Sequence, residues 1–413
     1  MIPDRMNSAS LRSRPRARQQ RTPPSHEGNV GYLEFDSGRK SSSHDVIRVV
    51  RARISEDIGV SSVKMNDDQL LRTGWKPFFQ QQVADHGSTA IKVARVSSHH
   101  GIRVLLLGEA GEFWIPVQSA EAVGGIAVGD WVVLDAGADR VLQRLERKTV
   151  LFRKAAGEEV KPQIIAANID TLFITTSCNE DFNLSRIERY LALALDAGIR
   201  PIVVLTKVDL CDSADEYRRQ AEKLHPGLVV ESLDARDPEQ VTRLRSWCGP
   251  GESVALLGSS GVGKSTLANA LGAGDLATGS IRDADGKGRH TTTARSLHLL
   301  PSGGVLVDNP GVRECQLSDC EHGLKTLFDD VIQIAQRCQF RNCSHEGESG
   351  CAIGPALTSG ELDQRRFANF VSLSEEQARN AKSLAERHDR QDRQRTGRSH
   401  KSASTNQRRR RRK

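Results

Sequence analysis

The chain has 413 residues and a formal net charge of +7, with 37% hydrophobic residues. That length suits two or three domains, and no apolar run approaches the ~20 residues a membrane span needs. The arginine-bearing N-terminus has no apolar core of a secretory signal, and all eight cysteines lie at or after Cys178. We therefore expect a cytoplasmic, monomeric protein with reduced thiols and no membrane partner.

The charge is uneven. Residues 1–25 carry six Arg against one Asp, and residues 387–413 carry twelve Lys or Arg against two Asp. The two ends together hold +15, so the body between them holds −8. Basic ends on an acidic body suit a polyanion, nucleic acid first. Residues 1–68 are rich in Arg, Ser, Pro and Gln, without apolar periodicity. They read as a disordered basic extension, and 386–413 as a disordered basic tail. Order is expected to begin near Leu70, anchored by Trp75, Phe78 and Phe79.

Residues 69–150 comprise that anchoring segment and a β domain. Apolar runs recur at Ile91–Val96, Ile102–Leu107, Glu112–Val117, Asp130–Leu134 and Val141–Leu145, with Gly101, Gly108, Gly111 and Gly124-Gly125 among the breaks. Five short strands in that space predict a small OB-type barrel, a fold that often binds single-stranded nucleic acid. Its aromatics (Phe113, Trp114, Trp131) are too sparse to make base stacking evident.

From Leu151 to about residue 314 strands and helices alternate, predicting a parallel α/β sheet with its ligand loops at the strand C-termini. Thr171–Thr175 and Ile202–Leu205 read as buried strands. Leu184, Ile187, Leu191 and Leu195 recur at helical spacing between an Asn183 cap and a Gly198 stop. Ala214–Leu224 and Pro238–Trp247 read as further helices.

The segment Gly258-Ser259-Ser260-Gly261-Val262-Gly263-Lys264-Ser265-Thr266 fits G-x-x-x-x-G-K-[ST]. A strand (Ser253–Leu257) precedes it and a helix follows, as a phosphate-binding loop requires. Its backbone N–H groups would cradle phosphate oxygens. Lys264 would reach the β- and γ-phosphates, and Ser265 would hold Mg²⁺. Thr206-Lys207-Val208-Asp209 matches [NT]-K-x-D. The Asp209 carboxylate can accept from guanine N1–H and the 2-amino group, donors that adenine lacks. The Lys207 stem can lie along the purine. Ser232-Leu233 follows the next strand, at the place of a backbone contact to the guanine oxygen. Asp308-Asn309-Pro310-Gly311 is a D-x-x-G run, with Asp308 toward Mg²⁺ and the Gly311 N–H toward the γ-phosphate. Gly288–Thr293 (GRHTTT) can supply a switch threonine, Thr292, to Mg²⁺. Position 312 is Val and cannot orient water, so His290 is the local candidate and intrinsic hydrolysis should be slow. The guanine motif precedes the phosphate loop, the reverse of the conventional order, which predicts a circularly permuted domain.

Cys338, Cys343, His345 and Cys351 give C-x4-C-x-H-x5-C. Three thiolates and an imidazole suit a closed, tetrahedral structural Zn²⁺ site. Helical stripes flank it (Leu324, Leu327, Phe328 and Val331 before; Leu362, Phe367 and Phe370 after), predicting a helical zinc domain over 315–385.

The combination of TKVD, GSSGVGKST, GRHTTT, DNPGVR and the Cys/His cluster, over roughly residues 69–385, resembles the ribosome small-subunit-dependent GTPase family (RsgA, also called YjeQ or YloQ). The resemblance implies an OB-fold domain, a circularly permuted GTPase domain and a zinc domain. It further implies binding to the small ribosomal subunit and its rRNA, a role in late subunit maturation, and GTP hydrolysis stimulated by the subunit. Thr206 departs from the commoner Asn and Asn309 from the commoner Thr, and residues 1–68 have no match. Two other readings compete. An RNA-binding scaffold with a vestigial P-loop is opposed by the intact Lys264, Ser265 and Asp308. An ATP-using P-loop enzyme is opposed by Asp209.

Overall fold

The computed structural model describes residues 67–84, 91–154, 162–274, 296–308, 320–383 and 385–386. The two basic ends, GRHTTT (with His290 and Thr292), Asn309, Gly311, Val312 and Cys315 lie outside the described residues.

Five antiparallel strands succeed one another at the expected places: β1 (Ile91–His100), β2 (Arg103–Gly108), β3 (Gly111–Pro116), β4 (Trp131–Asp135) and β5 (Val141–Arg144). Their order in space is β3-β2-β1-β4-β5. Alternation along the strands sends Ala94, Val96, Val132 and Leu134 inward against Val104, Leu106 and Ile115. Among the described residues β3 and β5 do not pair. The 3-10 segment Val117–Val123 follows β3 and places Ala120 in the same core as Ile115 and Val141.

The outer face of β1 and β4 is buried too. Two short helices, α1 (Asp67–Arg72) and α2 (Pro77–Val83), lay Leu70, Trp75, Phe79 and Val83 on Val93, Trp131 and Val133. Phe78, expected as an anchor, is 37% exposed. Consecutive helical positions point about 100° apart, so only one of Phe78 and Phe79 can face the strands.

Arg95 lies on this same face and is fully buried. It donates to the Gly129 carbonyl (3.2 Å), the Thr73 carbonyl (2.6 Å), Ser253 Oγ (2.8 Å) and the Asn168 carbonyl (2.9 Å). One guanidinium thus ties the α1–α2 turn, the β module and the next domain together. Burial pulls its pKa down to about 10, against the raising effect of Asp170 and Asp130. Gly129 is required beside it: a Cβ there would lie 2.0 Å from the Ala167 carbonyl oxygen.

A hairpin of β6 (Val150–Lys154) and β7 (Pro162–Ala167) leads into the α/β domain. There β8 (Thr171–Ser177), α3 (Leu184–Asp196), β9 (Arg200–Thr206), α4 (Ala214–Glu222), β10 (Val229–Ser232), α5 (Pro238–Val241), β11 (Ser253–Leu257), α6 (Lys264–Leu271), β12 (Ser296–Leu299) and β13 (Val305–Asp308) follow in order. The sheet runs β10-β9-β8-β11-β13-β12. The first five are parallel and β12 is antiparallel to β13. β8 and β11 are buried along their whole length, as central strands covered on both faces must be. The β11 strand is central in space but fourth of the six along the chain, the wiring of a permuted domain. β12 also meets β1, at Ser98–Ser296, joining the β module to the mixed sheet.

Helix α3 begins as expected, with Asn183 Oδ1 accepting from the Arg186 N–H at 2.9 Å. The segment expected as one helix from Pro238 to Trp247 divides into α5 and a 3-10 stretch, Thr242–Trp247. Thr242 Oγ1 donates back to the Pro238 carbonyl at 2.8 Å at that junction, a local bond that competes with regular helix.

The C-terminal helices are α7 (Glu321–Leu327), α8 (Asp329–Ala335), α9 (Ile353–Ser359) and α10 (364–383). They share one continuous core with a face of the α/β sheet: Leu324, Leu327, Phe328, Val331 and Leu373 pack in the cluster that holds Ile187, Leu191 and Ile174. Covered on both sides, α3 carries a fully buried carboxylate, Glu188. Arg365 reaches its two oxygens at 2.8 and 3.1 Å, Arg366 meets Oε1 at 2.9 Å, and Asn369 Nδ2 donates to Oε2. Arg366 also pairs with Asp330 and lies over the Phe328 ring at 4.8 Å. No helix among the described residues is long and apolar enough to cross a membrane.

Two stability predictions follow from these buried charges. Arg95→Ala leaves the buried Thr73 and Asn168 carbonyls without this donor, while Gly129 keeps Asn168 Nδ2, and should cost roughly 3 kcal/mol in denaturant unfolding, with Arg95→Lys in between. Glu188→Ala takes away the buried carboxylate that Arg365, Arg366 and Asn369 share, leaving Arg366 with Asp330 alone as counter-ion, and should cost about 3 kcal/mol. It should also make residues 320–383 protease-sensitive before the β module, as read from the cleavage fragments.

Candidate functional site

Because β8, β9, β10, β11 and β13 are parallel, the loops after them emerge at one edge of the sheet. Ser177, Thr206, Ser232, Leu257 and Asp308 end those strands. The expected guanine, phosphate and magnesium positions therefore share one edge, although they span more than a hundred positions of sequence.

The phosphate loop turns from β11 into α6, so Ser265 and Thr266 sit in the first helical turn behind Lys264. Gly258 opens it with φ 157° and lies so close to β8 that a Cβ would be 2.1 Å from the Thr175 carbonyl oxygen. Ser260, Gly261, Val262 and Gly263 complete the turn, with φ 81° and 95° at the two glycines. Lys264 Nζ donates to the Gly258 carbonyl at 2.9 Å and to the Ser259 carbonyl, folding across its own loop. Ser259 is held from outside: its hydroxyl donates to Asp181 Oδ2 and accepts from Arg186 Nη1 at 2.8 Å. Arg186 also meets Asp181 Oδ1 at 2.8 Å.

At the guanine end, Thr206 is fully buried. Its hydroxyl is shared between the Val262 carbonyl (2.5 Å) and the Thr176 carbonyl (3.2 Å). Position 206 thus braces the phosphate loop, and its side chain has no donor left for a base. Lys207 takes a left-handed backbone (φ 57°, ψ 34°), and the 3-10 turn Val208–Leu210 follows it and carries Asp209. A non-glycine residue in that conformation is uncommon and concentrates at functional turns. Asp209 Oδ2 accepts from Arg236 Nη2 at 2.5 Å. The Ser232 hydroxyl is buried without a hydrogen-bond partner among the described residues, while the Leu233 N–H is taken by the Leu205 carbonyl at 2.9 Å.

The ligand atoms of Cys338, Cys343, His345 and Cys351 lie within 4.8 Å of one another, so the group could hold a metal ion. His345 Nδ1 is 3.6 Å from Cys338 Sγ and 3.7 Å from Cys351 Sγ. His345 reaches in from a left-handed backbone, φ 63°, and its ring stands 6.3 Å from Phe367. The Cys351 thiol is pulled down to about 7, first by the Gly354 N–H at the start of α9 and then by His345. Cys178 and Cys248 behave oppositely, as expected of structural thiols: burial pushes them up to about 11 and about 12.

Motif reading did not find Asp181, Arg186, Glu188 or Arg236. Asp181 and Arg186 stand next to the Asn183 cap, yet only the fold carries them to Ser259. Arg236 lies four residues past Ser232, within the loop that a guanine site would use, and that closeness was its only signal.

Residues 144–318 match the RsgA GTPase family. The chain is 50% identical over 320 residues to the small ribosomal subunit biogenesis GTPase RsgA 2 of Vibrio parahaemolyticus, covering 77% of this chain and 88% of that one. It is 45% identical over 326 residues to the small ribosomal subunit biogenesis GTPase RsgA of Mesorhizobium japonicum, covering 78% and 93%. Among solved structures it is similar to YjeQ from Thermotoga maritima, with TM-score 0.52 at 24% identity over 70% of this chain and 99% of that one. It is also similar to YloQ, a circularly permuted GTPase, with TM-score 0.51 at 23% identity over 71% and 98%. These likenesses agree with the sheet wiring described above, and identity of this extent makes the chain a member of the RsgA GTPase family and a GTP hydrolase.

Proposed function

We propose that this GTPase binds the small ribosomal subunit and its rRNA in the cytoplasm, assists late maturation of the subunit, and hydrolyses GTP faster when bound to it. The observation that carries the reading is one sheet edge bearing Asp209, the phosphate loop and Asp308. It is joined to the role named for a relative 50% identical to this chain, small ribosomal subunit biogenesis.

In this reading Asp209 takes guanine N1–H and the 2-amino group, with Lys207 along the ring and the Ser232 hydroxyl near the base. Gly258 to Thr266 wraps the phosphates, and Lys264 leaves the Gly258 and Ser259 carbonyls to meet the β- and γ-oxygens. Ser265 and Asp308, with Thr292, would hold Mg²⁺, which supplies charge neutralisation at the transferring phosphoryl group. The Gly311 N–H senses the γ-phosphate. With Val312 next to it, no side-chain amide orients the water, so His290 takes that part.

The β module reads as an open OB-type barrel, with β1 pairing both β2 and β4. One end exposes His100, Ile102, Arg103 and Trp114, with the His100 and Trp114 rings 5.2 Å apart. A cation beside exposed stacking surface suits single-stranded rRNA. The Cys/His group reads as a structural Zn²⁺ site. Bonds of about 2.3 Å to sulfur and about 2.0 Å to nitrogen set tetrahedral S···N edges near 3.5 Å, close to those present. Four protein ligands leave no coordination position for catalysis.

GTP turnover by the purified chain should be slow, and small subunits should raise it well above what equal amounts of large subunits or free RNA achieve. Equal stimulation by all three rejects the subunit reading. Lys264→Ala should lose at least about 100-fold in kcat/KM, as removal of a transition-state cation does. Metal analysis should find one zinc per chain. Cys343→Ser should release it and loosen residues 338–351 in hydrogen exchange while GTP affinity holds.

A further inference from the structure

The carboxylate assigned to guanine does not stand alone. Among the described residues, its one side-chain partner is Arg236. Arg236 is in turn fastened to Asp234, by Nε to Oδ1 at 3.2 Å and by Nη2 to Oδ2 at 3.3 Å, while its own N–H donates to Asp234 Oδ1 at 2.9 Å. Asp234 is tied to the next helix: its N–H donates to Gln240 Oε1 at 3.0 Å, and Gln240 Nε2 donates to Asp237 Oδ2, on the N-cap of α5, at 2.7 Å. A line of bonds therefore runs from α5 through Asp234 and Arg236 to Asp209. The two carboxylates are 25% and 18% exposed, and Arg236 covers them from the solvent side, itself 65% exposed.

We propose that Arg236 is a positioning residue for guanine recognition: clamped on Asp234, it sets the rotation of the Asp209 carboxylate before the base arrives and keeps its bond to Oδ2 once the base is seated. The inference rests on the reading of Asp209 as the base-reading group. A carboxylate has about four lone-pair sites, so two guanine donors and one guanidinium N–H fit on it together. Arginine suits the task because a planar fork can engage two carboxylates at once, which a lysine point charge cannot. The need arises from Thr206. Its hydroxyl is committed to Val262 and Thr176, so nothing at the head of the motif orients Asp209. A reading group held in the productive rotation loses less freedom on binding.

The test is nucleotide affinity and turnover of the full chain, using a fluorescent GTP analogue with GTP and ATP as competitors. Arg236→Ala should weaken GTP binding by about three- to fivefold, the scale of an exposed ion pair. The loss should fall on KM rather than kcat, leave the weak ATP competition unchanged, and shrink as salt rises. Arg236→Lys should recover only part of it. In an Asp209→Asn background, where GTP affinity is already low, Arg236→Ala should add nothing. Unchanged or tighter GTP binding in Arg236→Ala overturns the proposal, and so does an equal loss for GTP and ATP, which would mark general charge attraction. If Asp209→Asn itself leaves GTP affinity intact, the guanine reading fails, and the role of Arg236 falls with it.

Discussion

The structure turns on one buried helix. α3 lies between the α/β sheet and the C-terminal helices, and almost every residue from Ile187 to Ala194 is buried. A carboxylate in that position is tolerable only if its charge is met, and Arg365, Arg366 and Asn369 meet it. The docking of the C-terminal helices is therefore specified by charge as well as by apolar contact. Arg189 adds a pair with Glu376 at 2.8 Å, and Asp196 accepts from the Gly323 N–H at 3.0 Å near the other end of the helix. Along its length α3 is fastened to the lobe that carries the Cys/His group.

Its first turn is fastened elsewhere. Arg186 and the nearby Asp181 grip Ser259, the second residue of the phosphate loop. One rigid element thus touches the phosphate loop at its start and the C-terminal lobe beyond it. The permuted order adds a covalent route from the same sheet edge, since the chain passes from Asp308 into the C-terminal helices. A change in the phosphate loop can reach the lobe through α3 as well. Interlocked side chains of this kind have few arrangements, which is what two-state coupling requires.

Much of this chemistry is written locally. The phosphate loop, TKVD and the Cys/His cluster are contiguous, and each needs particular residue types at fixed spacing, so each could be read from the chain. The permutation was legible from motif order alone, and α3 from its Asn183 cap and apolar repeat. What was not legible is joined across distance. Arg366 is 178 positions from Glu188 and Ser253 is 158 from Arg95, and nothing in either stretch announces its partner. Arg95 shows the difficulty plainly: an arginine within a strand reads as an edge or surface position, yet here it is at the centre of a four-way junction. Phe78 shows the converse, since composition marks it as an anchor and only helical phase turns it outward. The lack of β3–β5 pairing among the described residues was equally hidden, because strand count does not reveal whether a sheet closes.

Thr206 joins two loops at the sheet edge, the phosphate loop and the turn that carries Asp209. It is the last residue of β9, one step before the left-handed Lys207. Its hydroxyl donates back to the phosphate loop at Val262, while its side chain fills the space in front of Gly263, 3.6 Å from where a Cβ would stand. Threonine supplies a hydrogen bond that holds the loop against β9, and the turn that follows carries Asp209. Asp209 is met from the solvent side by Arg236, which is itself held by Asp234. On the guanine reading proposed above, bracing the loop falls to Thr206 and holding the carboxylate falls to Arg236, so the two tasks rest on two side chains.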